Sequence, residues 1–271
     1  MSEPIFTASP LSLREVFRGA WQIVRTQFWH LLLHLILLGL ASLLIFGVLG
    51  ILNLREPALR PVWLGAESIW IYVLMIGFLR AIALASAGGT YDPLAAFWSL
   101  GRREAWSLAL LPAILNTLLW VWSGWTSVTS SQQMAELFHQ PQIWIVLVAS
   151  YFMGTFFQYS FALYAAYGQH PKEALRQASQ LFGKQLGWLF LPLLTGILLA
   201  FLFMGIGICI GVLAGIVVGP AGLQNPLTGS ILAILIMALS LPALFWSITC
   251  QLLAAANLVS THPRADAQFI P

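Results

Sequence analysis

The chain has 271 residues, of which 59% are hydrophobic and 8% are charged, with a formal net charge of +3. Soluble domains carry roughly 25% charged residues, so this composition excludes a soluble protein, which could not cover its surface with so few charges. The small positive excess is spread along the chain rather than gathered in one patch, which excludes a nucleic-acid partner.

Residues 1–10 read as an N-terminal extension, 11–257 as a single membrane domain and 258–271 as a polar, loosely ordered tail. The first predicted element is an amphipathic stretch. Leu13, Val16, Phe17, Ala20, Trp21, Val24 and Phe28 form an apolar stripe of helical period. Ser12 and Glu15 have the spacing of a capping box at its start. The stretch leads into the first apolar run, 28–52. That run, at about 25 residues, is too long for the core of a cleavable signal, so it is expected to be retained as a span.

A span needs about 20 apolar residues, and five more segments qualify: 67–86, 105–125, 142–167, 187–219 and 228–255. A second amphipathic stretch separates the second and third spans. It opens with Asp92 as N-cap and Pro93 at the first helical position, and its stripe is Leu94, Phe97 and Trp98. Residues 124–141 form the main outer loop, with a short helix around Gln132–Phe138. A third stretch starts near Pro171, with Ala174, Leu175, Ala178, Leu181 and Phe182 on one face. The fifth span is longer than the bilayer is thick and must tilt, kink or project. Pro112, Pro192 and Pro242 fall inside spans, where proline kinks a helix. Cys209 and Cys250 lie in apolar runs and read as small packing residues.

Basic residues set the expected orientation. With the N-terminus in the cytoplasm, Arg14, Arg18, Arg25, Arg80, Arg102, Arg103, Lys172, Arg176, Lys184 and Arg264 fall on that side, and Arg55 and Arg60 on the other. Both termini are then cytoplasmic, and an even number of spans is required. The three amphipathic stretches all fall on the cytoplasmic side, each before an outgoing span. Glu15, Arg18, Ala20, Gln22 and Gln27 match Glu173, Arg176, Ala178, Gln180 and Gln185 at a shift of 158, while Trp21, Arg25 and Trp29 match Trp98, Arg102 and Trp106 at a shift of 77. The predicted fold is therefore all-α and polytopic. It has six transmembrane helices and amphipathic interfacial helices, arranged as three parallel repeats of one interfacial helix and two spans.

Four kinds of residue stand out as candidates. Gly207, Gly211, Gly215 and Gly219 recur at spacing four on the fifth span, a small-residue face for helix packing within the chain or between subunits. Bending of the long helix is the other reading of the same glycines. Glu67 and Arg80 are charges in the second span and lie about 20 Å apart along a helix, so they cannot pair with each other. They are either interfacial anchors or cavity-lining groups. Asn116, Gln158 and Gln251 are polar residues within spans and need partners there, across a helix pair or along a path. His30 and His34 share a helix face and, with His170, are the weak candidates for a metal site, which needs three or four ligands. No G-x-S-x-G elbow, H-E-x-x-H helix or phosphate-binding G-x-x-x-x-G-K-[ST] is present. The expectation is a non-enzymatic protein without a cofactor.

Two segments carry a resemblance. S-L-R-E-V-F-R-G-A-W leading into F-W-H-L-L-L, and P-K-E-A-L-R-Q-A-S-Q-L-F leading into W-L-F-L-P-L-L, resemble a broad group of bacterial six-helix inner-membrane proteins of unknown function. That group includes the membrane domain found in some glycerophosphodiester phosphodiesterases. The resemblance spans roughly residues 11–257, and its motifs are diffuse and hydrophobic. It implies a multi-pass protein of the bacterial inner membrane. It carries over no catalytic residue, because there is no room for the soluble barrel of about 250 residues. The functional expectation is an accessory or scaffold subunit packing against protein or lipid partners. Those partners include anionic lipid on the cytoplasmic side and a membrane protein or a second copy. A transporter or lipid-handling permease, with a polar path between the repeats, is the alternative.

Overall fold

A computed structural model describes residues 11–55, 59–86, 94–124, 136–137, 139–184, 186–223 and 226–260. Residues 1–10, Asp92, Pro93, most of Gln132–Phe138 and the tail with Arg264 lie outside the described residues, as do the side chains of Leu181 and Phe182. The fold is all-helical, and six helices are long and apolar enough to cross a membrane. In chain order the helices are α1 (Leu13–Arg55), α2 (Arg60–Ser86), α3 (Arg103–Trp122), α4 (Pro141–Tyr167), α5 (Pro171–Lys184), α6 (Leu186–Leu189), α7 (Leu191–Leu223) and α8 (Pro226–Ser260). A 3₁₀ segment, Ala95–Gly101, sits between α2 and α3.

The three predicted amphipathic stretches take three different forms. The first is not a separate interfacial helix. It continues without a break into the first span, so α1 has 43 residues and is about 65 Å long, twice the roughly 30 Å of a hydrocarbon core. No glycine or proline falls between Ala20 and Leu38 to end the first segment. The capping box does form: Glu15 Oε2 accepts from the backbone N–H and the hydroxyl of Ser12, both at 2.7 Å, and Glu15 N–H donates to Ser12 Oγ at 3.3 Å. The second stretch is the 3₁₀ segment, pinned to α2 by a 2.6 Å hydrogen bond from Ser99 Oγ to Val73 O. The third is a free-standing amphipathic helix, α5.

Proline and glycine explain the remaining boundaries. Pro192 is the second residue of α7 rather than an interior kink, a place where its missing N–H costs nothing. α3 and α8 run through Pro112 and Pro242. α7 breaks at Gly219 (φ 69°, ψ 173°). The residue before a proline is disfavoured in the helical region, Pro220 follows, and a positive φ is tolerated by glycine.

α2 is the centre of the bundle and packs on α1, α3, α4, α8 and the 3₁₀ segment. α8 lies against α1, α2 and α4 and also packs along α7. The core is confined to one end. Its residues come from the first half of α1 (Val16, Ala20, Leu31), the second half of α2 (Val73 to Ala83), the start of α3 (Ala105, Leu108), the end of α4 (Tyr159 to Tyr167) and the end of α8 (Phe245, Cys250, Leu252). Trp246 Nε1 donates to Phe17 O at 3.1 Å, and Phe245 meets the rings of Phe28 and Phe78 at 5.9 and 5.8 Å. These contacts place the start of α1, the end of α2 and the end of α8 together. Toward the other end the same helices turn more apolar side chains outward. Leu43, Leu44, Val48, Val148, Phe152, Leu235 and Leu239 are exposed there, with a small satellite of buried Leu137, Ile143 and Val146.

Candidate functional site

The packed end holds a polar cavity of about 330 Å³, bordered by Arg80, Trp98, Arg102, Glu104, Tyr164 and residues 168–171. Its geometry follows from how α4 ends. Gly168 takes the left-handed conformation (φ 61°) and its N–H bonds back to Tyr164 O at 3.1 Å. The last carbonyls of a helix have no partner within it and carry the negative end of its dipole. Ala165 O is one of them, and Arg80 NH1 donates to it at 3.0 Å. Arg80 is thus a cap for α4, 6% exposed, six residues before the end of α2. It does not snorkel outward as an interfacial anchor.

Trp98 packs near two guanidiniums. The Cζ of Arg80 is 5.4 Å from its ring centroid and that of Arg102 is 4.9 Å away, both within cation–π range. Tyr164 stacks obliquely on the same indole at 5.6 Å. The 3₁₀ segment therefore positions a ring platform and, at its exit, an exposed arginine beside a buried one.

The floor of the cavity is the α4–α5 turn. His170 Nδ1 accepts from Lys172 N–H at 3.4 Å, and His170 O accepts from Glu173 and Ala174 N–H at 2.8 and 3.0 Å. The first turn of α5 is therefore largely capped by its own residues. A polar chain continues along α5. Gln169 Nε2 donates to Gln177 Oε1, Gln177 Nε2 donates to Glu173 Oε1, and Arg176 makes a two-bond pair with Glu173 at 2.7 and 3.1 Å. Those hydrogen bonds and the adjacent carboxylate raise the pKa of Arg176. Gln169 Oε1 is buried without a hydrogen-bond partner.

The other sequence candidates are scattered. His34 is 3% exposed and its Nδ1 lies 2.8 Å from His30 O, while His30 Nδ1 lies 2.7 Å from Gln27 Oε1. Among the described residues no three His, Cys, Asp or Glu side chains are grouped to hold a metal, so His30, His34 and His170 are not brought together. Glu67, Asn116 and Gln158 do not border the cavity that Arg80 borders. Asn116 Oδ1 instead joins α3 to α4, accepting from Trp120 Nε1 at 3.1 Å and from Ser150 Oγ at 3.5 Å. Glu67 and Gln158 are half-buried on α2 and α4. Gln251 Oε1 is buried in α8 without a hydrogen-bond partner.

On α7 the glycine face is the half-buried one, and at Gly207 it is turned toward α8. A Cβ on Gly207 would meet Ile236 Cδ1 of α8 at 3.7 Å, but one on Gly211 would meet nothing within 4 Å. Gly215 is half-buried, and Gly219 sits at the helix break.

The sequence reading missed the convergence of Trp98, Arg102, Glu104 and Tyr164 on Arg80. One usable signal was Y-G-Q-H-P at 167–171, a glycine stop and proline restart that turns the chain at the level of Arg80. Guanidiniums stay protonated and present many N–H donors, so the cavity offers fixed positive charge and donors. No family model, curated protein or solved structure matches the chain.

Proposed function

We propose that this chain is a non-enzymatic accessory membrane protein that works by packing against a partner transmembrane helix. The observation that supports it most is α7. The most apolar stretch of α7 contains no buried residue, whereas more than half of the corresponding stretches of α2 and α8 is buried. In lipid, helices associate by close packing, which small residues promote; the face of α7 that its own chain leaves open carries Ile208, Val212, Leu213 and Ile216, and half-buried Gly211 borders it with room for a Cβ. On this reading the packed end faces the cytoplasm of a bacterial inner membrane with both termini. Arg14, Arg18, Arg25, Arg80, Arg102, Arg103, Lys172 and Arg176 are gathered at that end, with Arg55 and Arg60 at the other, as the positive-inside tendency favours. The three pairs of spans then descend from one repeated unit whose entry segments have diverged.

Substitution of Gly211 tests the packing role. A Cβ there meets nothing within 4 Å in the chain, so Gly211→Ala is expected to leave the monomer's thermal stability in mild detergent unchanged, and Gly211→Leu to release a co-purifying partner or second copy. Retention of the same assembly by Gly211→Leu, or a wild type that purifies as a lone monomer, counts against it. The second reading is a lipid-handling permease, favoured by the polar cavity at the packed end.

A further inference from the structure

We infer that the cavity beside Trp98 is a binding site for a phosphate-bearing anion, which would serve an accessory subunit and a permease alike. Among the described residues two guanidiniums border it against one carboxylate, that of Glu104, so that lining carries a positive excess. The two cations are held near the same indole, at 5.4 and 4.9 Å. Bringing like charges together raises the potential in the space they share, and an anion there relieves it. Arg80 is already oriented by Ala165 O and the ring, so little side-chain freedom is left to lose on binding. Arg102 borders the cavity and is exposed, so its guanidinium is reachable by a ligand entering from outside.

The donors identify the ligand class. A guanidinium presents a planar fork that matches two phosphate oxygens. The amides of α5 add little, because His170 caps its first turn. At about 330 Å³ the space is several times the roughly 30 Å³ share of one water and admits a phosphate with its ester substituent. It lies where α3 and α5 begin and α2 and α4 end, the level at which lipid headgroups stand. A lipid headgroup and a soluble phosphate ester present the same chemistry to this site.

The two sources separate in a two-arm measurement on the full-length protein in detergent. One arm follows phosphatidylglycerol and phosphatidylcholine adducts by native mass spectrometry. The other follows glycerol 3-phosphate by calorimetry. In the arm that holds the ligand, Arg102→Gln is expected to weaken binding by about tenfold, the value of one charge-assisted contact, and Arg102→Lys by less. Arg176→Gln, which removes an exposed positive charge paired with Glu173, is expected to leave binding unchanged. Loss confined to phosphatidylglycerol assigns a headgroup, and loss in the calorimetric arm assigns a soluble ester. Binding in neither arm, binding indifferent to Arg102→Gln, or an equal loss in Arg176→Gln overturns the site. Arg102 is exposed and caps no helix by its side chain, so its variants keep the fold on which the reading depends.

Discussion

The two ends of this bundle are made from the same helices and differ in almost every physical respect. At the packed end, Phe245, Leu79, Ile82, Leu163 and Leu252 are fully enclosed, and polar links such as Trp246 to Phe17 and Arg80 to Ala165 tie α1 to α8 and α2 to α4. At the open end, Leu43, Val48, Phe152, Phe201 and Leu213 face outward on α1, α4 and α7. Hydropathy cannot tell these ends apart, because lipid accepts an apolar side chain as readily as a protein core does. The difference lies in side-chain volume and aromatic content. Helices α4 and α8 bring Tyr159, Phe161, Tyr164 and Phe245 to the packed end. Small alanines on α3, α5 and α8 let the backbones close around them there.

The largest expected effect breaks or upholds this contrast directly. Phe245 is 0% exposed and Phe201 is 64% exposed. Phe245→Ala removes ring contacts to two other helices and is expected to cost about 3–5 kcal/mol, read as a large fall in melting temperature in detergent. Phe201→Ala is expected to leave the melting temperature nearly unchanged. Equal effects would mean that α7 is as integral to the monomer as α8.

What was legible in the sequence follows the same division. Span count and approximate limits depend on local composition, which is why 142–167 and Pro141–Tyr167 nearly coincide. The capping box at Ser12 and Glu15 was readable because both partners lie within one turn. The failures are non-local. An amphipathic stripe over Leu13–Phe28 has the same sequence whether it lies flat on a membrane or continues upright into a span, and packing of Val16, Ala20 and Val24 against the bundle decides the matter. Arg80 was visible as a charge in a span, but its partner is a carbonyl 85 positions away. No spacing rule encodes that. The convergence on Trp98 draws on α2, the 3₁₀ segment, α3 and the α4–α5 turn, so it exists only after folding.

Polar and apolar contributions at the packed end separate at Trp246. Trp246→Phe keeps an aromatic ring 5.1 Å from Phe17 but loses the hydrogen bond to its carbonyl. The expected loss is about 1 kcal/mol, smaller than that of Phe245→Ala in the same denaturation measurement. A loss as large as that of Phe245→Ala would assign the packed end to its hydrogen bonds rather than to its rings.

The smallest expected effect lies nearer the open end, where Asn116 joins α3 to α4 through Ser150 Oγ at 3.5 Å and bonds Trp120 Nε1 on its own helix at 3.1 Å. Interhelical hydrogen bonds in membranes contribute about 0.6 kcal/mol on average, because the separated helices find other partners. The long Ser150 contact puts Asn116 at or below that average. Asn116→Ala is therefore expected to shift the unfolding midpoint by a few tenths of the change seen for Trp246→Phe, with Trp120 turning its N–H to another acceptor. A loss above about 2 kcal/mol, outside the range of such bonds, would make Asn116 the anchor of the open half. The openness there would then be held in place by a specific polar link, rather than being what remains where large side chains are missing from the seam.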